Sequence, residues 1–212
     1  MSDYLKFINY DFLQGKNIFK VNSDTAYLGM FIDEIKNKTV LDIGCGSGAL
    51  LLYSHFHKAD KLIGIDIQKE ALKYADKNLS KYSCNYFLIN KRVQDYKGDR
   101  VDVIVSNPPF FKSDNKRNKT SYKKAMFDDE LSIDDLFIAF KKNIKDNGSI
   151  YLIYSADRVL ELFDKCKEYK FKIMKMQFIY DKNNEFASRV MLKLKQGKMT
   201  RVRILKPIIL GK

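Results

Sequence analysis

The run V-L-D-I-G-C-G-S-G, residues 40 to 48, sets Gly44, Gly46 and Gly48 in alternation behind an acid, Asp42. Glycine has no Cβ, so backbone there can come close to a ligand. The run lies where an apolar strand would hand over to a helix, the edge at which doubly wound sheets bind ligands. Its G-x-G-x-G spacing matches neither the G-x-G-x-x-G of dinucleotide folds nor the G-K-[ST] of a P-loop. A pyrophosphate would use the helix N-terminus and gain nothing from Asp42. A cationic ligand would gain from it, and S-adenosylmethionine carries both an ammonium and a sulfonium. The next apolar run, K-L-I-G-I-D-I, closes on Asp66 and Ile67, and an acid at the end of a second strand can accept from both ribose hydroxyls. A tight turn alone explains one glycine, but not three with two acids.

The second chemical stretch is V-D-V-I-V-S-N-P-P-F-F, residues 101 to 111. Prolines stop a strand, and an aromatic pair in a loop exposes apolar surface that stability alone would bury. Taken by itself, Asn107 could simply satisfy its own turn at a strand exit.

Elements able to position these residues alternate along the chain. T-V-L-D-I (39–43), K-L-I-G-I-D-I (61–67), N-Y-F-L-I (85–89), V-D-V-I-V-S (101–106) and S-I-Y-L-I-Y-S (149–155) read as buried strands. Helical spacing falls between them, and Asn147-Gly148 is the expected stop of the helix that begins near Leu131. Such alternation builds a parallel sheet with helices on both faces. Residues 171–181 and 187–196, joined by a short connector, predict an antiparallel hairpin. Residues 1–38 form a cap before the repeat, with Ser23 or Asp24 starting a short helix.

Together, D-I-G-C-G-S-G, Asp66 and S-N-P-P-F resemble the class I S-adenosylmethionine-dependent methyltransferases. The resemblance implies a Rossmann-like α/β fold whose mostly parallel sheet has seven strands, in order 3-2-1-4-5-7-6, with the seventh antiparallel. It implies S-adenosylmethionine as cofactor, held by Asp42, Gly44, Cys45, Gly46, Gly48, Asp66 and Ile67. Where that family commonly contacts the cofactor's adenine with an acid, this chain reads I-N-K-R-V-Q-D-Y, with Arg92 in place and Asp95 or the backbone to substitute. The fourth strand then lies beside the first, so the glycine loop and Asn107 face one crevice.

An exocyclic amine resists methylation because its lone pair is delocalised into the ring. Accepting both of its N–H bonds turns the lone pair outward, a task of positioning and electrostatics. Asn107 Oδ1 and the Pro108 carbonyl are the two acceptors, Pro109 stiffens the loop, and Phe110 offers a face for a base, where stacking is worth about 1–3 kcal/mol. Adenine-N6, guanine-N2 and glutamine-N5 methyltransferases share this loop. Q-G-K-N-I-F-K-V-N-S-D-T-A-Y-L-G-M-F-I narrows the choice, since it is similar to the N-terminal segment of the bacterial tRNA(Val) adenine-N6 methyltransferase family at Gln14, Phe19, Asp24 and Leu28. The resemblance implies methylation of the adenosine beside the valine anticodon, with tRNA(Val) as partner. Guanine-N2 RNA methylation, glutamine-N5 protein methylation and noncatalytic RNA binding remain as alternatives. Asp24 reads equally as a cofactor-side or base-side residue and as a helix cap.

The 212 residues are 45% hydrophobic, enough for one domain, divided as the 1–38 cap and a 39–212 methyltransferase domain. Net charge is +13, and residues 112–124 and 193–212 carry +5 and +7 of it. Lys112, Lys116, Arg117, Lys119, Lys123, Lys124, Arg201 and Arg203 are the candidate phosphate contacts. Solvated lysines on a loop and a tail are the plainer reading of either stretch alone. Three widely spaced cysteines and two histidines suggest neither disulfides nor a metal. No run approaches the roughly 20 apolar residues of a membrane span, and the N-terminus lacks a signal-peptide pattern, so a cytoplasmic protein without an obligate protein partner is expected.

Overall fold

The computed structural model describes residues 12–15, 21–108, 131–198 and 201–211. The β-branched runs form β1 (Thr39–Ile43), β2 (Lys61–Asp66), β3 (Tyr86–Asn90), β4 (Val101–Ser106), β5 (Ile144–Ser155), β6 (Phe171–Tyr180) and β7 (Arg189–Gln196). They order as β3-β2-β1-β4-β5-β7-β6. Strand β7 runs antiparallel to both of its neighbours, and the other pairs among β1–β5 are parallel. Among the described residues the sheet holds the expected seven strands and two more, nine in all. The extra two are short segments of the basic tail, β8 (Arg203–Ile204) and β9 (Ile208–Ile209), which pair with the free edge of β6. Leu205 N donates to Met176 O at 2.8 Å and Leu210 N to Tyr180 O at 2.9 Å. Leu205, Ile208 and Leu210 pack on the core, which fixes that tail to the edge.

Side chains alternate across a strand, so a sheet covered on both sides needs apolar residues at nearly every position. Val40, Tyr151 and Ile153 join the core beneath α1 (Ser23–Phe31), α2 (Ala49–Phe56) and α3 (Lys69–Leu79). Leu41, Ile43, Ile150 and Leu152 face the opposite core, under α4 (Ile133–Asn143) and α5 (Val159–Glu168). Each such burial contributes about 1.5–3 kcal/mol.

Two helix ends differ from the sequence expectation. The N-cap of α1 is Asn22, one residue before Ser23, with its Oδ1 accepting from Thr25 N at 3.2 Å. Helix α4 starts with a capping box between Ser132 and Asp135, but stops at Asn143 and not at Asn147-Gly148. The chain is already extended at Ile144, and β5 slips in register between Val101↔Ile144 and Val103↔Ser149. Ile144 is fully buried, and a Cβ on Gly148 would stand 2.5 Å from its Cδ1. Gly148 therefore makes room for a buried side chain; it does not cap a helix.

Beyond α1, Asp33 receives Lys175 Nζ and Lys193 Nζ, each at 2.5 Å, while Glu34 receives Lys193 at 2.7 Å. Lys193 is 6% exposed. One of the seven basic residues of the 193–212 stretch is thus itself buried against the Asp33 and Glu34 carboxylates and is unavailable to phosphate. At the other end of α1's layer, Asn78 of α3 accepts from Leu13 N and donates to Leu13 O and Ser47 O, joining residues 12–15 to the glycine loop.

Candidate active site

Parallel register brings the carboxyl ends of β1, β2 and β4 to one edge, with Ile43 opposite Ser106 and Asp66 opposite Asn90. Ser106 Oγ donates to Ile43 O at 2.8 Å, tying the exit of β4 to the glycine loop. A cleft opens there, lined by Asp24, Asp42, Gly44, Cys45, Gly46, Asp66, Ile67, Asn107 and Pro108 among others. All of these were expected from the sequence. Gly48 does not line it. A Cβ there would meet Ala75 Cβ at 3.2 Å, so Gly48 lets α2 approach α3 instead of touching a ligand.

Gly44 and Gly46 have φ of +76° and +52°, which glycine adopts freely, and a Cβ on either would meet nothing within 4 Å. The space before them is open to the cleft. Asp42 is 1% exposed, and neither carboxylate oxygen has a hydrogen-bond partner among the described residues. Burial, and then the neighbouring Asp66, push its pKa well above the usual carboxylate range. Burial also raises Asp66, against backbone hydrogen bonds that draw it down. Its Oδ1 accepts Gln68 N and its Oδ2 accepts Gly46 N, both at 2.8 Å. Each oxygen keeps a lone pair for a further donor. Two acids in one cleft, one without any donor, suit a cation bearing hydroxyl groups. The open glycine loop and the orphan carboxylate therefore fit S-adenosylmethionine. Cys45 lies on the same wall, where burial followed by Asp42 and Asp66 raises its thiol pKa, so it stays neutral.

Asn107 Nδ2 donates to Thr25 Oγ1 at 3.0 Å. Asp24 lines the cleft beside it and is no cap; its Oδ2 accepts from Arg189 Nε of β7 at 2.9 Å. Lys91, Arg92 and Gln94 line the cleft beyond β3, whereas the expected substitute, Asp95, is exposed and outside it. Sequence reasoning missed Asn22, Thr25 and Gln94. The run Asn22-Ser23-Asp24-Thr25 did signal a helix start, but all four residues are cap formers.

Pro109, Phe110, Lys112, Lys116, Arg117, Lys119, Lys123 and Lys124 lie outside the described residues. Arg201 and Arg203 are exposed, with Arg203 opposite Lys175 on the far edge of the sheet and not at the cleft. Among the described residues no group of three or more His, Cys, Asp or Glu could hold a metal ion, and no helix is long and apolar enough to cross a membrane.

Residues 9–159 match the methyltransferase small domain family. A Trichodesmium erythraeum protein named tRNA1(Val) (adenine(37)-N6)-methyltransferase is 30% identical, over 76% of this chain and 71% of its own. The chain belongs to the methyltransferase small domain family and is kin to proteins that carry the name tRNA1(Val) (adenine(37)-N6)-methyltransferase. A Methanocaldococcus jannaschii relative provisionally named protein N5-glutamine methyltransferase is 27% identical, over 74% of this chain and 82% of its own. The crystal structure of the ribosomal protein L11 methylase of Lactobacillus delbrueckii superposes with TM-score 0.64 at 17% identity, over 85% of this chain and 81% of that one, a likeness of fold.

Proposed function

We propose that the protein is a tRNA adenine-N6 methyltransferase that uses S-adenosylmethionine and acts on the anticodon-loop adenosine of tRNA(Val). The observation that carries the reading is the single edge shared by Asp42, Gly44, Gly46 and Asp66 on one side and Asn107-Pro108 on the other. S-adenosylmethionine supplies an electrophilic methyl group on a sulfonium. Asp42 balances its positive charge and Asp66 takes its ribose hydroxyls. Asn107 Oδ1 and the Pro108 carbonyl accept the two N–H bonds of the amine and turn its lone pair out of ring conjugation. Phe110 stacks on the flipped base, which an unpaired loop releases at low cost. The basic residues of 112–124 and Arg201 and Arg203 hold phosphates, residues 1–38 cap the 39–212 methyltransferase domain, and the enzyme works in the cytoplasm beside its substrate.

The test is to incubate the protein with labelled S-adenosylmethionine and unmodified tRNA transcripts, then identify the labelled nucleoside by mass spectrometry. N6-methyladenosine confined to the valine transcript is expected. N2-methylguanosine, or label on added protein, would overturn the substrate. Asn107→Ala should abolish turnover while leaving tRNA affinity intact.

A further inference from the structure

We propose that Thr25, in the first turn of α1, is a positioning residue that holds the Asn107 amide with its oxygen toward the substrate amine. The proposal rests on Asn107 being the amine acceptor and names what orients it. Asn22 Oδ1 accepts from Thr25 N at 3.2 Å, as an N-cap must, and from Thr25 Oγ1 at 3.3 Å. A threonine hydroxyl has one proton. With that proton given to Asn22, Oγ1 can only accept from Asn107, and it does so from Nδ2 at 3.0 Å. A flipped Asn107 would set two acceptor oxygens against each other with no proton between them. Oδ1 is therefore left over, and Asn107 lines the cleft.

Thr25 is 8% exposed, so water is poorly placed to replace the hydroxyl. The turn that carries it is anchored a second time, because Asp24 binds Arg189 of β7. Asn107 also precedes a proline, which restricts its backbone to extended conformations and leaves the side-chain torsions as its main freedom. Orientation of the acceptor is thus set by an element 82 residues away in sequence. An acceptor displaced by a fraction of an ångström costs rate and not ground-state binding.

The experiment compares wild type, Thr25→Val and Thr25→Ser. Valine matches threonine in shape and cannot accept the bond; serine can. With tRNA transcripts, Thr25→Val should lower kcat by about 10- to 100-fold, with the Kd for S-adenosylmethionine within about twofold of wild type and Thr25→Ser largely restored. Wild-type kcat in Thr25→Val, or no rescue by serine, would overturn the proposal. A second arm reads the bond without turnover. The Asn107 side-chain amide signals, assigned in a ¹H–¹⁵N spectrum by their loss in Asn107→Asp, should shift in Thr25→Val and hold in Thr25→Ser. Unshifted signals in Thr25→Val would overturn it as well. If the wild type methylated no tRNA amine, the proposed function would fall while this arm still decided the role of Thr25.

Discussion

Asp42 sits at the end of β1 with no donor for either oxygen among the described residues, which makes it costly to the ligand-free fold and valuable to a cationic ligand. Its raised pKa means that stability is fullest at low pH and falls as pH rises through the folded value. Asp42→Asn should therefore raise the melting temperature of the ligand-free protein at pH 8. The same substitution should weaken S-adenosylmethionine binding by about 1.5–3 kcal/mol, tenfold or more in Kd, read by calorimetry. A bound cation lowers the pKa of Asp42, so affinity should climb with pH up to the ligand-free pKa, with proton release below it. Asp42, Asp66 and Asn107 were legible in the sequence because residue type at a strand end already states the chemistry. Thr25 was not, since its role is a bond to a residue far along the chain.

At the scale of elements, strands read well because both faces of the sheet are buried and the runs are almost wholly apolar. The end of α4 did not, because Ile144 is equally at home in a helix and a strand, and only packing against Gly148 decides. Nor could the Asp33 cluster be read, since four charges and Tyr151 meet there from separate elements. Burial would raise Asp33, but hydrogen bonds from Lys175, Lys193 and Tyr151 outweigh it and hold the carboxyl at about 2. That depressed pKa contributes stability above the usual value of 3.8, lost as pH falls toward 2. Asp33→Ala should cost about 1–2 kcal/mol at neutral pH, allowing for a carboxylate half in solvent, and should flatten the acid limb of a melting-temperature profile.

For the whole molecule, Arg201 and Arg203 follow the edge of β6 on the side of the sheet remote from β3. As phosphate contacts they would extend the footprint well past the cleft. Arg201→Ala with Arg203→Ala should raise the KM for tRNA without lowering kcat. It should also reduce the slope of log affinity against log salt by about 0.7–0.9 per residue removed. Unchanged salt dependence would leave those two arginines as ordinary solvated charge.

The strand order carries a consequence for biosynthesis. Strand β7 is translated after β6, yet it lies between β5 and β6. Until residues 189–196 leave the ribosome, β5 has a bare edge and β6 has nothing to pair with. The partner of Asp24, Arg189, arrives in that same last stretch. A nascent chain can thus complete its glycine loop and β4 well before Asp24, on the rim of the same cleft, gains its ion-pair partner.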